Sequence, residues 1–266
     1  MEHLFQSWES FVTDIKAAAH ILLLSDYDGT LTPIVSRPDE AILSSDLRNR
    51  LLALAQKPAF SVGIISGRSL SEIKAMVRVE GIYYAGNHGL EIEGPGLKYI
   101  NLEAKKAQRL INDIANKLST ALSSIGGVII EDKGLSLSVH YRLVKEDEVS
   151  KLTETFNQIT SPQLGKGKIR VTAGKKVWEV RPPIEWHKGK AVEAITEELK
   201  KSLQCEQLLS IYLGDDSTDE DAFRVIHRPQ SWSIFVGSGS TPSNADYFLD
   251  STSEVSIFLS RLLQLK

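Results

Sequence analysis

Hydrophobic positions along this chain follow two rhythms. In residues 3–19, Leu4, Phe5, Trp8, Phe11, Val12 and Ile15 fall at helical spacing with acidic residues between them, which predicts an amphipathic helix packed on a core. Ile21-Leu22-Leu23-Leu24-Ser25 is a solid apolar run that stops at an acidic loop, as expected of a strand buried on both faces in a parallel sheet. Residues 46–56 read as a helix. Val62-Gly63-Ile64-Ile65 is a second buried strand, ending at Ser66-Gly67-Arg68. Ser69-Leu70-Ser71-Glu72 has the form of a capping box and predicts a helix start. Ile82-Tyr83-Tyr84-Ala85 is a third strand, before the loop Gly86-Asn87-His88-Gly89. The same rhythm returns late in the chain. A helix is expected over 188–202, a strand at Leu209–Leu213 leading into Gly214-Asp215-Asp216, and short strands at Ser233–Val236 and Tyr247–Leu249. This alternation predicts an α/β fold with a Rossmann-like, doubly wound parallel sheet.

The second rhythm begins near residue 94. Gly94-Pro95-Gly96 is a turn, and a helical stretch runs from about 102 to 122. From Leu135 to Arg142 the pattern alternates: Leu135, Leu137, Val139 and Tyr141 share one face, and Ser136, Ser138, His140 and Arg142 the other. That is an antiparallel sheet with one dry and one wet face. Residues 145–158 are helical in pattern, 168–181 hold two short strands, and Pro182-Pro183 ends regular structure. The expected organisation is a core of residues 1–100 and 184–266 with an α/β domain, 101–183, inserted into it.

Composition narrows the function. Apolar residues make up 42% of the 266 positions, enough for a packed core. The net charge of -3 gives no basic excess to attract nucleic acid or an anionic membrane, so neither is expected as a partner. No stretch reaches the roughly 18–20 apolar residues of a membrane span. The N-terminus carries Glu2 and Glu9 and lacks a basic segment followed by a long apolar one, so a secretory signal is not expected. The single cysteine, Cys205, reads as a small half-buried hydrophobe. A soluble protein of a reducing, cytoplasmic compartment is the expectation. His3, His20 and His227 show no grouping in sequence, so no histidine-based metal site is expected.

The acids decide the chemistry. Asp26 and Asp28 follow one buried strand, and Asp215, Asp216 and Asp219 follow another. In open α/β sheets the ligand crevice lies at the carboxyl ends of the strands, so both clusters are expected at one edge. Carboxylates gathered at one point repel unless a cation neutralises them, and an all-oxygen set suits Mg2+ where phosphate supplies further oxygens. Aspartate can attack phosphorus without a base to activate it. In Asp26-Tyr27-Asp28-Gly29-Thr30, one carboxylate can attack while the other protonates the leaving oxygen and later deprotonates water.

Four elements in order resemble the haloacid dehalogenase superfamily of phosphatases: Asp26-x-Asp28-Gly29-Thr30, Ser66 in Ile64-Ile65-Ser66-Gly67-Arg68, Lys188 in His187-Lys188-Gly189-Lys190, and Gly214-Asp215-Asp216-Ser217-Thr218-Asp219-Glu220-Asp221. The resemblance implies that Asp26 is the nucleophile and Asp28 the general acid and base. It also implies that Ser66 and Lys188 hold the phosphoryl oxygens. Mg2+ would be bound by the carboxylates of Asp26 and Asp215 and the backbone carbonyl of Asp28, with Asp219 supporting it directly or through water.

Within that superfamily the chain is most similar to the trehalose-6-phosphate phosphatases. The segments that carry the likeness span both domains: 26–34, Ala85-Gly86-Asn87-His88-Gly89, Ser138-Val139-His140-Tyr141-Arg142, Val177-Trp178-Glu179-Val180-Arg181-Pro182 and 214–221. The inserted domain would then be a cap, and the ligand a small sugar phosphate. Glu131, Lys133, His140, Arg142, Lys175 and Glu179 are the candidate sugar contacts, with Lys175 and Glu179 read as sharing a strand face. Arg68, Asn87 and His88, at strand ends, are expected to bridge phosphate and sugar. The alternatives are a phosphatase for another sugar phosphate, such as sucrose or glucosylglycerol phosphate, and a non-catalytic sugar-phosphate sensor. Oligomeric state is left open, a monomer being compatible with the sequence.

Overall fold

The structure, a computed structural model, describes residues 1–205, 207–226 and 231–266; His227 lies outside the described residues. Chain contacts divide it into two compact units, Met1–Tyr99 with Trp186–Lys266, and Ile100–Glu185. The first unit opens with β1 (Glu2–His3), α1 (Trp8–Ala17), β2 (His20–Ser25), α2 (Ser45–Ala55), β3 (Phe60–Ile65), α3 (Leu70–Val77), β4 (Tyr83–Gly86), β5 (Glu91–Gly94) and β6 (Leu97–Ile100). The second unit follows with α4 (Leu102–Ala121), β7 (Ile129–Asp132), β8 (Leu137–His140), α5 (Glu146–Leu164), β9 (Arg170–Gly174) and β10 (Val177–Arg181). The chain then completes the first unit with α6 (Lys188–Leu203), β11 (Leu208–Gly214), α7 (Glu220–Val225), β12 (Ser231–Val236), β13 (Tyr247–Leu249) and α8 (Thr252–Leu262). Among the described residues, no helix is long and apolar enough to cross a membrane.

The strands of the first unit form one sheet in the order β1-β13-β12-β11-β2-β3-β4-β5-β6. The pairings from β1 through to β4 are all parallel, and β5 runs antiparallel to β4. The solid apolar runs are explained by burial on both faces. Ile21 and Leu23 of β2 join one core with Phe11 and Ile15 of α1, Leu51 of α2 and Phe258 of α8. Leu22 and Leu24, turned the other way, join a second core with Val192 and Ile195 of α6 and Phe223 of α7. This is the doubly wound arrangement that the rhythm predicts.

β5 and β6 add to the expected strands; their residues are too few and too mixed in polarity to give a solid or alternating signal. The histidine expectation also needs correction. The β1–β13 pairing brings His3 beside Glu254 (3.0 Å) and Asp250 (3.7 Å), residues distant in sequence. Nδ1 of His3 accepts the Phe5 N–H, so the neutral ring carries its proton on Nε2 and donates it to the carboxylate. The three side chains thus form a group that the sequence does not show, and it clamps the N-terminal segment to the start of α8. The capping box forms by half: Ser69 Oγ accepts the Glu72 N–H, while the Glu72 carboxylate takes an Arg68 N–H.

The second unit is a sheet in the order β7-β8-β10-β9, antiparallel throughout. Its dry face presents Leu137, Val139, Trp178 and Val180 to Ile111, Leu118, Leu152 and Phe156 of α4 and α5. Trp178 stacks between Tyr141 and Phe156, with ring centroids 4.4 and 4.5 Å away. Two placements differ from the sequence reading. β8 ends at His140, so Arg142 lies in the following turn, where it donates to the Lys175 carbonyl at 3.3 Å. Lys175 is not on a strand with Glu179: Gly174 pairs with Val177, which leaves Lys175 and Lys176 as the reversal between β9 and β10. The left-handed backbone of Lys176 (φ 64°) makes that turn. A hairpin register, set by pairing across strands, overrides the i, i+4 reading.

Candidate active site

β2 and β11 are neighbours in parallel register, with Ser25 opposite Leu213. The acids that follow each strand therefore emerge side by side, and the Asp26 N–H still bonds to the Leu213 carbonyl at 2.8 Å. Just past β2, Tyr27 turns into the core, fully buried, its hydroxyl donating to the Ala41 carbonyl at 2.8 Å. Gly29 then bends with φ 90°; a Cβ there would sit 2.1 Å from an Asp215 carboxylate oxygen, so only glycine lets the two loops approach this closely. Thr30 Oγ1 donates to Asp215 Oδ1 at 3.3 Å and closes the junction.

Lys188 opens α6 and is 2% exposed. Its ammonium lies 2.7 Å from Asp26 Oδ1 and 2.7 Å from Asp219 Oδ1. Burial alone would pull this lysine down, but Asp219 and Asp26 outweigh it, and the group is held well above its ordinary value as a cation. Asp219 is fully buried and fully engaged. Oδ1 accepts from Lys188 and from the Tyr212 hydroxyl (2.7 Å), and Oδ2 accepts the N–H groups of Asp215 (3.0 Å) and Asp216 (3.1 Å). It shapes the loop that presents Asp215 and fixes Lys188. Tyr212 is absent from the residues expected of the sequence. A phenol in an otherwise apolar strand just ahead of an acidic loop needs a buried partner, and that was a usable signal.

Asp26, Asp215 and Asp219 each bring one carboxylate oxygen within 4.8 Å of the others. Burial, first, and the neighbouring carboxylates raise Asp26 well above the usual range, with Lys188 only partly offsetting them. The same causes push Asp215 up to about 7. Such crowding of hard oxygen donors fits a divalent cation, which would restore the charged forms. Of the three, Asp219 already has both oxygens engaged by donors within the chain.

Ser66 directly follows β3, next to β2, and is 1% exposed; its N–H bonds to the Ala85 carbonyl and its own carbonyl accepts from the His88 N–H. Asn87 and His88 both have left-handed backbones (φ 50° and 57°), which folds their loop back against residues 66–68. His88 packs against Gly67, and the Asn87 amide donates to Glu91 at 2.8 Å. Arg68, expected to bridge phosphate and sugar, has its partners here within the chain. Its guanidinium grips both oxygens of Asp28 (2.7 and 2.8 Å), donates to Glu72, and reaches the Pro38 carbonyl at 2.8 Å.

In the second unit, the face expected to be wet is polar but largely sheltered, with Ser138 3% exposed, and it aligns Glu131, Ser138 and Glu179 across three strands. His140 meets Glu131 at 2.8 Å, Lys133 lies 3.9 Å from Glu131 and 4.0 Å from Glu179, and Arg181 lies 3.7 Å from Glu179. Arg181 is not among the expected contacts; it shares a face with Glu179, two positions earlier, and that spacing could have found it.

Residues 24–253 match the sequence profile of the trehalose-phosphatase family. A probable trehalose-phosphate phosphatase E of Arabidopsis thaliana is 38% identical over 256 residues, 92% of this chain and 71% of that protein. Trehalose-phosphate phosphatase B of the same plant is 36% identical over 265 residues, 96% of this chain and 69% of that protein. Among solved structures, the C-terminal domain of C. albicans trehalose-6-phosphate phosphatase superposes with a TM-score of 0.78 at 28% identity, covering 97% of both chains. A haloacid dehalogenase-like hydrolase from Bacteroides thetaiotaomicron shares the fold at a TM-score of 0.59 and 16% identity, over 91% of this chain and 99% of that one. With a profile match running from the end of β2 into α8, the chain belongs to the trehalose-phosphatase family, a family of phosphoric monoester hydrolases.

Proposed function

We propose that the protein hydrolyses trehalose 6-phosphate to trehalose and phosphate, with Mg2+ as cofactor and a phosphoryl group carried in transit on Asp26. The observation that carries this reading is the meeting of Asp26 and Asp215 at the ends of adjacent parallel strands, with Lys188 2.7 Å from Asp26. Asp26 and Asp215 would hold the ion through carboxylates and Asp28 through its carbonyl. Bound there, Mg2+ supplies charge neutralisation that lets an anion approach a phosphate dianion.

A carboxylate oxygen of Asp26 attacks phosphorus, and the bond from phosphorus to the sugar oxygen breaks as Asp28 delivers a proton to that oxygen. Water then attacks the acyl phosphate, Asp28 takes its proton, and the Asp26–phosphorus bond breaks to release inorganic phosphate. Lys188 and Ser66 hold the phosphoryl oxygens, a task suited to a buried point charge and a hydroxyl at a strand end. Arg68, by its grip on both oxygens of Asp28, fixes the direction in which that carboxyl group faces. Glu131, Lys133, His140, Glu179 and Arg181 offer the hydroxyls of a neutral disaccharide both donors and acceptors; Arg142 and Lys175, paired through a turn, supply cationic ends.

Asp26→Asn is expected to abolish phosphate release from trehalose 6-phosphate while the far-ultraviolet dichroism stays that of the parent. Retained turnover would end the aspartyl-phosphate reading. Sucrose 6-phosphate turned over as well as trehalose 6-phosphate would end the choice of sugar.

A further inference from the structure

Arg68 is built into its place from several sides. It follows β3 and is 7% exposed, so its charge is withdrawn from water. Four N–H groups are already committed: Nε to Asp28 Oδ2, one from Nη2 to Asp28 Oδ1, a second from Nη2 to the Pro38 carbonyl, and one from Nη1 to Glu72 in the first turn of α3. Its guanidinium also lies 5.8 Å from the centre of the ring of Tyr27, the residue between the two aspartates of the loop. Asp28 is in the opposite condition, with a side chain 40% exposed on a loop. Left to itself such a carboxylate would sample several rotamers.

A fork-to-carboxylate pair fixes direction as well as distance, because two parallel N–H···O bonds define a plane. Arg68, anchored by α3 and by the Pro38 carbonyl, sets the plane of the Asp28 carboxylate. We infer that Arg68 is a positioning residue for leaving-group protonation: it acts through Asp28, and Glu72 holds it to that task. This rests on the role proposed above for Asp28. It separates Arg68 from the residues that bind phosphate or sugar, since its hydrogen-bonding capacity is spent mainly within the protein.

Leaving groups provide the test. A sugar alkoxide needs a proton as it departs, whereas p-nitrophenolate leaves without one. Arg68→Ala, Arg68→Lys and Glu72→Gln would be compared with the parent in single turnover with enzyme in excess and Mg2+ present, following trehalose or p-nitrophenolate release. For Arg68→Ala, trehalose release is expected to slow by roughly 10²-fold, the scale of general acid catalysis. The enzyme concentration for half-maximal rate and the p-nitrophenolate rate should both stay within about threefold of the parent. Arg68→Lys, which keeps charge but not the fork, and Glu72→Gln should show the same selectivity in milder form. Arg68→Ala combined with Asp28→Asn should be no slower than Asp28→Asn alone.

Equal slowing on both substrates would overturn the inference in favour of a merely structural role. A raised half-saturation concentration with unchanged maximal rate would overturn it in favour of substrate contact. If Arg68→Ala does not fold, the selectivity of Arg68→Lys and Glu72→Gln decides the matter, and its absence there overturns the inference. Asp26→Asn, run alongside, keeps the two readings apart: activity retained there defeats the covalent mechanism, whatever Arg68 does.

Discussion

At the scale of single residues, the site is a set of buried charges whose partners are counted out closely. Asp219 has a donor for each of its four principal lone-pair directions, and Tyr212 supplies one of them at 2.7 Å. Tyr212→Phe keeps the ring in its packing against Phe223 but deletes that donor. A buried acceptor left short of a donor costs about 1–3 kcal/mol. Urea melts of Tyr212→Phe should show a loss of that size, and an unshifted midpoint would mean that the bond contributes nothing. Gly214 carries a matching constraint, since a Cβ there would lie 2.2 Å from the Asp219 carboxyl carbon. These needs explain why a phenol and a glycine frame the acids. The sequence marks Tyr212 as a phenol in need of a partner, but which acid it meets, and why position 214 must be glycine, are defined only once the loop has folded.

At the scale of elements, the active loops are products of strand adjacency. β2 ends at Ser25 and β11 begins at Leu208, far apart in the chain, yet the two strands pair in register. α6 delivers Lys188 from its first turn into the gap between Asp26 and Asp219. In the second unit the same logic works on one sheet face. Glu179 lies within reach of Lys133 and Arg181 and opposite Ser138, so it is an acceptor at the middle of the polar face. Glu179→Ala is expected to raise the KM for trehalose 6-phosphate by about tenfold, the size of one lost charged hydrogen bond, with turnover of p-nitrophenyl phosphate unchanged. An unaltered KM would remove Glu179 from the sugar contacts.

At the scale of the whole molecule, three cores among the described residues serve the two units. Two lie on either side of the large sheet, and the third belongs to residues of the second unit alone. A unit with its own core can lose it separately. Phe156→Ala, which empties a buried position against Trp178, should cost about 3–5 kcal/mol and be felt in the second unit. Hydrogen exchange should then quicken in α4, α5 and β7–β10 well before it does in β2 and β11; uniform quickening would show that the two units unfold as one.

The alternation of solid strands and helices, a separate antiparallel sheet with one apolar and one polar face, and the acids that stand where two apolar strands stop were legible in the sequence. Each is a local pattern: a period, a run, or a charged residue where an apolar strand stops. The tertiary structure alone decided which partner each charge takes. It turned Arg68 onto Asp28, filled both oxygens of Asp219, set Lys175 in a turn, and brought His3 to Glu254. The reason is physical. Burial and periodicity are properties of neighbours along the chain. A hydrogen bond of 2.7 Å between residues 40 or 31 positions apart exists only after the sheet has placed their loops at one edge.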